Sequence, residues 1–290
     1  MDATLLLQRT GRLLALATGI IALITAGILA FASMAEARPV ALATDVVGDV
    51  KSGADALALL AELDAGREVT VGADSTAVVF YVGDGTEWVL KGPGRYRLGS
   101  KGPEPQAGAA PAIRRPAPAA FREIKLRPEK VRQAAVIMRG RNLTLAAPVN
   151  DDVVVGNDVR LSWVLDNARD TEYDVELVDA NGKLVHKATT ANVHLALPGD
   201  VRLVPGQRYT WAVTARERGL PQPLYAIGEF RVADATTRAR LDKARPKPDA
   251  PFSERVLFVA LLEDVGAKSA AAEQRRALAS ERPASWSKPK

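Results

Sequence analysis

The chain has 290 residues, 47% of them apolar and 25% charged, with a formal net charge of +5 at pH 7. That is material for two domains with real cores and excludes general disorder. The absence of cysteine excludes thiolate metal sites, thiol nucleophiles and disulfide frameworks, and two histidines leave almost no room for a histidine-built metal centre, so no metal and no cofactor is expected.

From Leu13 to Ala35 no residue is charged; Arg9 and Arg12 precede this run of 23 residues and Ala35-Glu36-Ala37, a small-x-small pattern, follows it. Residues 1–37 therefore read as a signal peptide cleaved after Ala37 or, since the run is long enough to span a bilayer, as an uncleaved membrane anchor. The arginines lie on the N-terminal side and place the rest of the chain outside the cytoplasm under either reading. A body without cysteine then fits a bacterial periplasm, where it matures without a disulfide. Export makes nucleic acid an unexpected partner, and membrane contact is expected only through residues 13–35 if they stay uncleaved.

Between Val40 and Leu98 short runs alternate with turn signals: Thr44 to Val50, Glu68 to Val71, Ala77 to Val82, Glu87 to Leu90 and Arg95 to Leu98. They predict the strands of a small antiparallel β domain over residues 38–99. Gly66, Gly72, Gly83-Asp84-Gly85 and Gly92-Pro93-Gly94 supply its turns. The order Val47-Gly48-Asp49-Val50, Leu63 with Gly66, Val69 to Ser75, and Ala77 to Val82 with Asp84-Gly85 and Val89-Leu90 resembles the FecR-like domain over about 55 residues. The resemblance implies a β-rich periplasmic module of the kind found in iron-citrate signalling regulators that pair with sigma factors. Signalling members carry a substantial cytoplasmic segment before their membrane span; here the corresponding stretch is Met1 to Arg12, and twelve residues fold no sigma-binding domain.

Residues 100–138 have linker composition, with Pro103, Pro105, Pro111, Pro116 and Pro118 among alanines and glycines. Charge is segregated around them: Lys101 to Arg141 holds ten Lys or Arg against three Glu, while Asn142 to Asp200 holds ten acids against four bases. The basic stretch reads as a strap for anionic envelope material, a glycan or lipid surface, or as a solvated linker balanced by the acidic module beside it.

A second module spans residues 139–233. Its strands are Leu143 to Ala146, Val159 to Val164, Tyr173 to Val178, Lys183 to Thr189, Val193 to Leu197, Gln207 to Arg216 and Ala226 to Val232, seven segments at β-sandwich spacing. Trp163, Tyr173 and the run Leu203, Pro205-Gly206, Tyr209-Thr210-Trp211 resemble a fibronectin type III or similar immunoglobulin-like fold. The Leu-x-Pro-Gly-x-x-Tyr spacing looks like the corner at which a tyrosine hydroxyl bonds back to backbone in such sandwiches. Trp163 and Trp211, at alternating strand positions among valines and leucines, are expected in the core.

Residues 234–251 read as a charged, proline-ended linker and residues 252–281 as a helical hairpin, Phe252 to Val265 and Lys268 to Ser280, broken at Gly266. The hairpin resembles one tetratricopeptide-like unit, which cannot bury its own face and so must dock on the sandwich or on a partner. Residues 282–290 are expected to be disordered.

Little in the sequence points to chemistry. Gly94 to Lys101 misses a phosphate-cradling loop by one residue, and Ser285 with Lys288 matches a Ser-x-x-Lys pattern in the terminal tail. His186 and His194 lie on successive predicted strands without a third ligand, and Asp151, Asp152 and Asp158, like Asp166 and Asp170, read as solvated turns. The expected fold class is therefore mainly β: a FecR-like antiparallel domain, a fibronectin-like sandwich and a C-terminal helical hairpin. The expected role is non-enzymatic recognition or scaffolding in the periplasm, with another envelope protein or an anionic glycan as partner. The alternative is a membrane-anchored sensor in a FecR-type pathway affecting a sigma factor. Trp88, Arg95 and Arg97 are the predicted binding residues; Trp88 sits beside glycine turns, where it packs under the domain or stands at a groove.

Overall fold

The computed structural model describes residues 39–116, 121, 124, 142–156, 158–218 and 222–282. The apolar run 13–35 and the tail with Ser285, Trp286 and Lys288 lie outside them. Among the described residues no helix is long and apolar enough to cross a membrane.

The chain is mainly β. Ten strands build the first module in two antiparallel sheets. One sheet has the order β10-β7-β6-β1-β4, from β1 (Pro39–Val47), β4 (Glu62–Asp64), β6 (Thr76–Tyr81), β7 (Thr86–Lys91) and β10 (Ala112–Pro116). The other has the order β3-β2-β5-β8-β9, from β2 (Val50–Ser52), β3 (Asp55–Ala56), β5 (Glu68–Val71), β8 (Gly94–Leu98) and β9 (Pro103–Ala107). Strands β9 and β10 occupy the segment read as linker. Proline is tolerated there because both are edge strands, with one side of the ladder unpaired.

Alternation breaks down in β1 and β6. Ala41 through Thr44 and Ala77 through Tyr81 are buried without interruption, the pattern of strands covered on both faces. The second cover comes from the far end of the chain. Helix α2 (Phe252–Asp264) buries Val256 through Leu262 and packs on β1, so its core is continuous with that of the first module. A helix apolar all round belongs inside a protein, and this one lies between the β1 sheet and helix α3 (Lys268–Ala279). The hairpin thus docks on the chain itself, and mainly on the first module rather than on the sandwich.

The segment 234–251 also differs from its reading as linker: Ala235–Ala244 is helix α1. The Asp234 carboxylate accepts the Thr237 N–H at 2.7 Å, which caps the helix and holds the carboxyl below its ordinary range.

The second module is a sandwich of a three-stranded sheet, β11-β13-β16, against a five-stranded sheet, β12-β18-β17-β14-β15. The strands are β11 (Leu143–Ala147), β12 (Asp152–Val154), β13 (Arg160–Leu165), β14 (Thr171–Asp179), β15 (Leu184–Thr190), β16 (His194–Ala196), β17 (Arg208–Glu217) and β18 (Leu224–Val232). Trp163 and Trp211 fill the space between the sheets, with the Trp163 ring 5.3 Å from Tyr173 and 6.4 Å from Trp211. Tilted pairs of this kind add about 0.5–1.5 kcal/mol each beyond the area they bury. The Tyr209 hydroxyl accepts the Val204 N–H at 2.8 Å, the corner bond of fibronectin- and immunoglobulin-like sandwiches.

Strand β12 is a seam absent from the sequence reading. It pairs in parallel with β18, its Val153 N–H donates to Gly266 between α2 and α3, and Val154 accepts the Ala233 N–H. Three residues thereby join the sandwich to the helical layer.

Candidate functional site

The structure does not bring Trp88, Arg95 and Arg97 together. Trp88 lies on β7 in the first sheet and packs against the backbone of Gly102, where an added Cβ would fall 3.0 Å from its ring. It is half-buried against the core, which favours the packing reading over the groove. Arg95 and Arg97 lie on β8 in the other sheet, exposed on its outer face because β8 alternates with buried Tyr96 and Leu98. Arg97 stands opposite Glu68 on one neighbouring strand and Glu104 on the other, so the cross-strand register surrounds its positive charge with acids.

His186 is on β15 and His194 on β16, strands of different sheets, so they do not face each other across a hairpin. Asp152 is not a solvated turn residue. It is buried, and its carboxylate accepts the Ser269 N–H at 3.2 and 3.3 Å at the start of α3, a cap supplied from another element. Among the described residues no group of three or more His, Asp or Glu is placed to hold a metal ion.

Two polar clusters involve the helical layer. A cavity of about 170 Å³ beside β12 is lined by Asp151, Asp152, Arg208, Glu229 and Arg231 with Val153 and Phe230. Arg208 stands opposite Arg231, and Glu229 lies 3.9 Å from Arg208, so acids and bases are interleaved. The second cluster fastens the end of α3 to β1. Arg282 Nη1 lies 3.3 Å from Asp45 and its guanidinium 4.7 Å from the Phe252 ring; Arg255 stacks on the same ring and forks onto Glu281 at 2.6 and 2.7 Å. Burial pushes the Asp45 carboxyl above its ordinary value, against the opposing charges of Arg282 and Arg114.

One accessible strand edge is that of β18. Glu229 donates its N–H to the Asn150 side chain and accepts the Asp151 N–H, so its backbone polar groups point away from β17. Val232 bonds to β17-side partners at Gln207 and Gly206, which fixes the alternation. By the two-residue period the N–H and C=O of Ile227 and Tyr225 point to the same outer side as those of Glu229. Strand β12 reaches only Phe230 to Val232, so among the described residues nothing pairs with Tyr225 or Ile227 there. Their side chains are 61% and 53% exposed, on the same sheet face as Ala212 and Thr214 opposite them. Sequence reasoning missed this edge. Its signal was an aromatic and a β-branched residue at the outward positions of the last sandwich strand, where a solvated sheet usually carries charge.

No protein-family model matches the chain, and no curated protein matches it. Among solved structures, the FN1-FN3 domains of chicken CNTN1 align with 60% of this chain and 47% of their own at 11% identity and a TM-score of 0.25. The β-glucuronidase of Parabacteroides merdae, with glycerol in its active site, aligns with 44% of this chain and 22% of its own at 12% identity and a TM-score of 0.21. The chain thus spans about half the length of the first structure and about a fifth of the second.

Proposed function

We propose that this protein is an exported, non-enzymatic recognition and scaffold protein of the bacterial envelope, which binds another protein through the open edge of β18. The observation that carries this reading is the coincidence, at Tyr225 and Ile227, of exposed apolar side chains with backbone groups that have no partner among the described residues. An open strand edge provides main-chain hydrogen bonds, and alternate side chains provide selectivity, which is how extended segments are added to sheets. Aromatic residues at such positions give large contact area with few rotamers to freeze. The uncharged run 13–35 behind Arg9 and Arg12 supports export, and the glycine and valine pattern of residues 47–90 supports a FecR-like first module.

Photo-cross-linking in cells tests the docking edge. A photoreactive residue at 225 should give a protein adduct, and one at Lys187 on the opposite edge strand should not. Equal labelling at both positions, or none at 225, would overturn the reading. Intact mass of the protein purified from envelopes tests the export route: a chain beginning at Arg38 means a released periplasmic protein. A retained 1–37 segment favours the anchored sensor.

A further inference from the structure

The open edge of β18 is limited at both ends. Pro223 precedes it and has no N–H to give, and at the other end Asn150 and Asp151 already occupy Glu229. Among the described residues the window left without a pairing strand is therefore the five residues Leu224 to Gly228, centred on Ala226. Its outward polar groups are two donors and two acceptors, the N–H and C=O of Tyr225 and of Ile227.

We infer that this window pairs with the same window of a second copy, antiparallel and in the register that sets Ala226 opposite Ala226. This inference rests on the proposed docking role of β18 and names its partner. In that register Tyr225 of each copy faces Ile227 of the other, and each pair exchanges both backbone bonds, four in all, leaving no outward group of the window unused. Centring the pair on Ile227 would set Tyr225 against the occupied Glu229. Centring it on Tyr225 would set Ile227 against Pro223, which cannot donate.

Side chains agree with the register. Each Tyr225 lies beside an Ile227 of the other copy, an aromatic against a β-branched residue, a favourable cross-strand pair. The window carries no charge, so two copies of a chain with net charge +5 meet there without like charges opposed. The contact is isologous and closes on itself as a pair rather than growing into a fibre. Five residues a side bury far less than the ~1,200 Å² of stable complexes, so the pair is weak, with a dissociation constant above about 10 μM.

The absence of cysteine gives a direct test. At the centre of the proposed register Ala226 forms a non-hydrogen-bonded pair with its copy, the close spacing that a cross-strand disulfide needs. Full-length Ala226→Cys under mild oxidation should give a disulfide-linked dimer, and adding Ile227→Lys should reduce its yield at least about tenfold. Lys187→Cys on the opposite edge should stay monomeric. Sedimentation of the cysteine-free protein should show reversible dimerisation that Ile227→Lys weakens, with thermal unfolding confirming that the variant keeps its fold. Ala226→Cys dimers that Ile227→Lys leaves intact, or no dimer up to about 1 mM, would overturn the inference. If that failure came with a cross-link from position 225 to a different protein, the docking role would stand and only the second copy would be wrong.

Discussion

Tyr209 and Asp152 each accept a backbone N–H from outside their own strand, and the two bonds hold different parts of the chain. Tyr209→Phe keeps the ring against Phe230, 5.7 Å away, and removes both the acceptor of Val204 and the hydroxyl's own bond to Gln207 Oε1. The sandwich should lose about 1–3 kcal/mol in urea unfolding followed by tryptophan fluorescence, the cost of a backbone donor left without a partner. Asp152→Ala should cost about 0.5–2 kcal/mol through the lost cap of α3, read by the same unfolding measurement. Asp45 gives a pH dependence. Its folded carboxyl takes up a proton above the ordinary value of 3.8, so in that window the native state binds more protons than the unfolded one. Stability then falls as pH rises from 3.8 through the raised value. Asp45→Asn lacks this dependence, and its stability relative to the parent should increase from about pH 4 toward neutrality. A difference that stays constant across denaturant titrations in this range would contradict the assignment.

At the scale of elements, what was legible depended on how a strand is buried. The long sandwich strands β13, β14, β17 and β18 alternate because one face meets the core and the other water, and their bounds follow the sequence pattern closely. Strand β12 escaped because three residues are too short to show a period, and its partner is the last strand of the module. Strands β9 and β10 escaped because Pro103, Pro105 and Pro116 speak against pairing except on an edge, and position in a sheet is not written in local sequence. Helix α1 buries only Leu241 and Ala244, so its charged sequence has the texture of a linker. The candidate site was the least legible part: Arg95 and Arg97 were placed correctly on one strand, but which sheet holds Trp88 depends on long-range pairing. Helix α2 gives the clearest element-level prediction. Leu257 is fully buried, and Leu257→Ala should destabilise the chain by about 2–5 kcal/mol in chemical denaturation.

At the scale of the whole molecule, the first module and the C-terminal helices share one hydrophobic core, while the sandwich keeps its own. Removing residues 235–290 should leave the sandwich folded, with Trp163 and Trp211 still shielded, and expose the face of the β1 sheet. Hydrogen exchange should then show lost protection over residues 39–98 and retained protection over residues 160–232; protection kept in both regions would mean that the first module is self-sufficient.

The shared core also sets an order of events during synthesis. The helix that covers β1 is made roughly 200 residues after it, so β1 and β6 must wait with one apolar face open while the sandwich closes on its own contacts. A chain that emerges N-terminus first therefore completes its beginning last. Through most of its production its earliest strands are the part most exposed to mispairing.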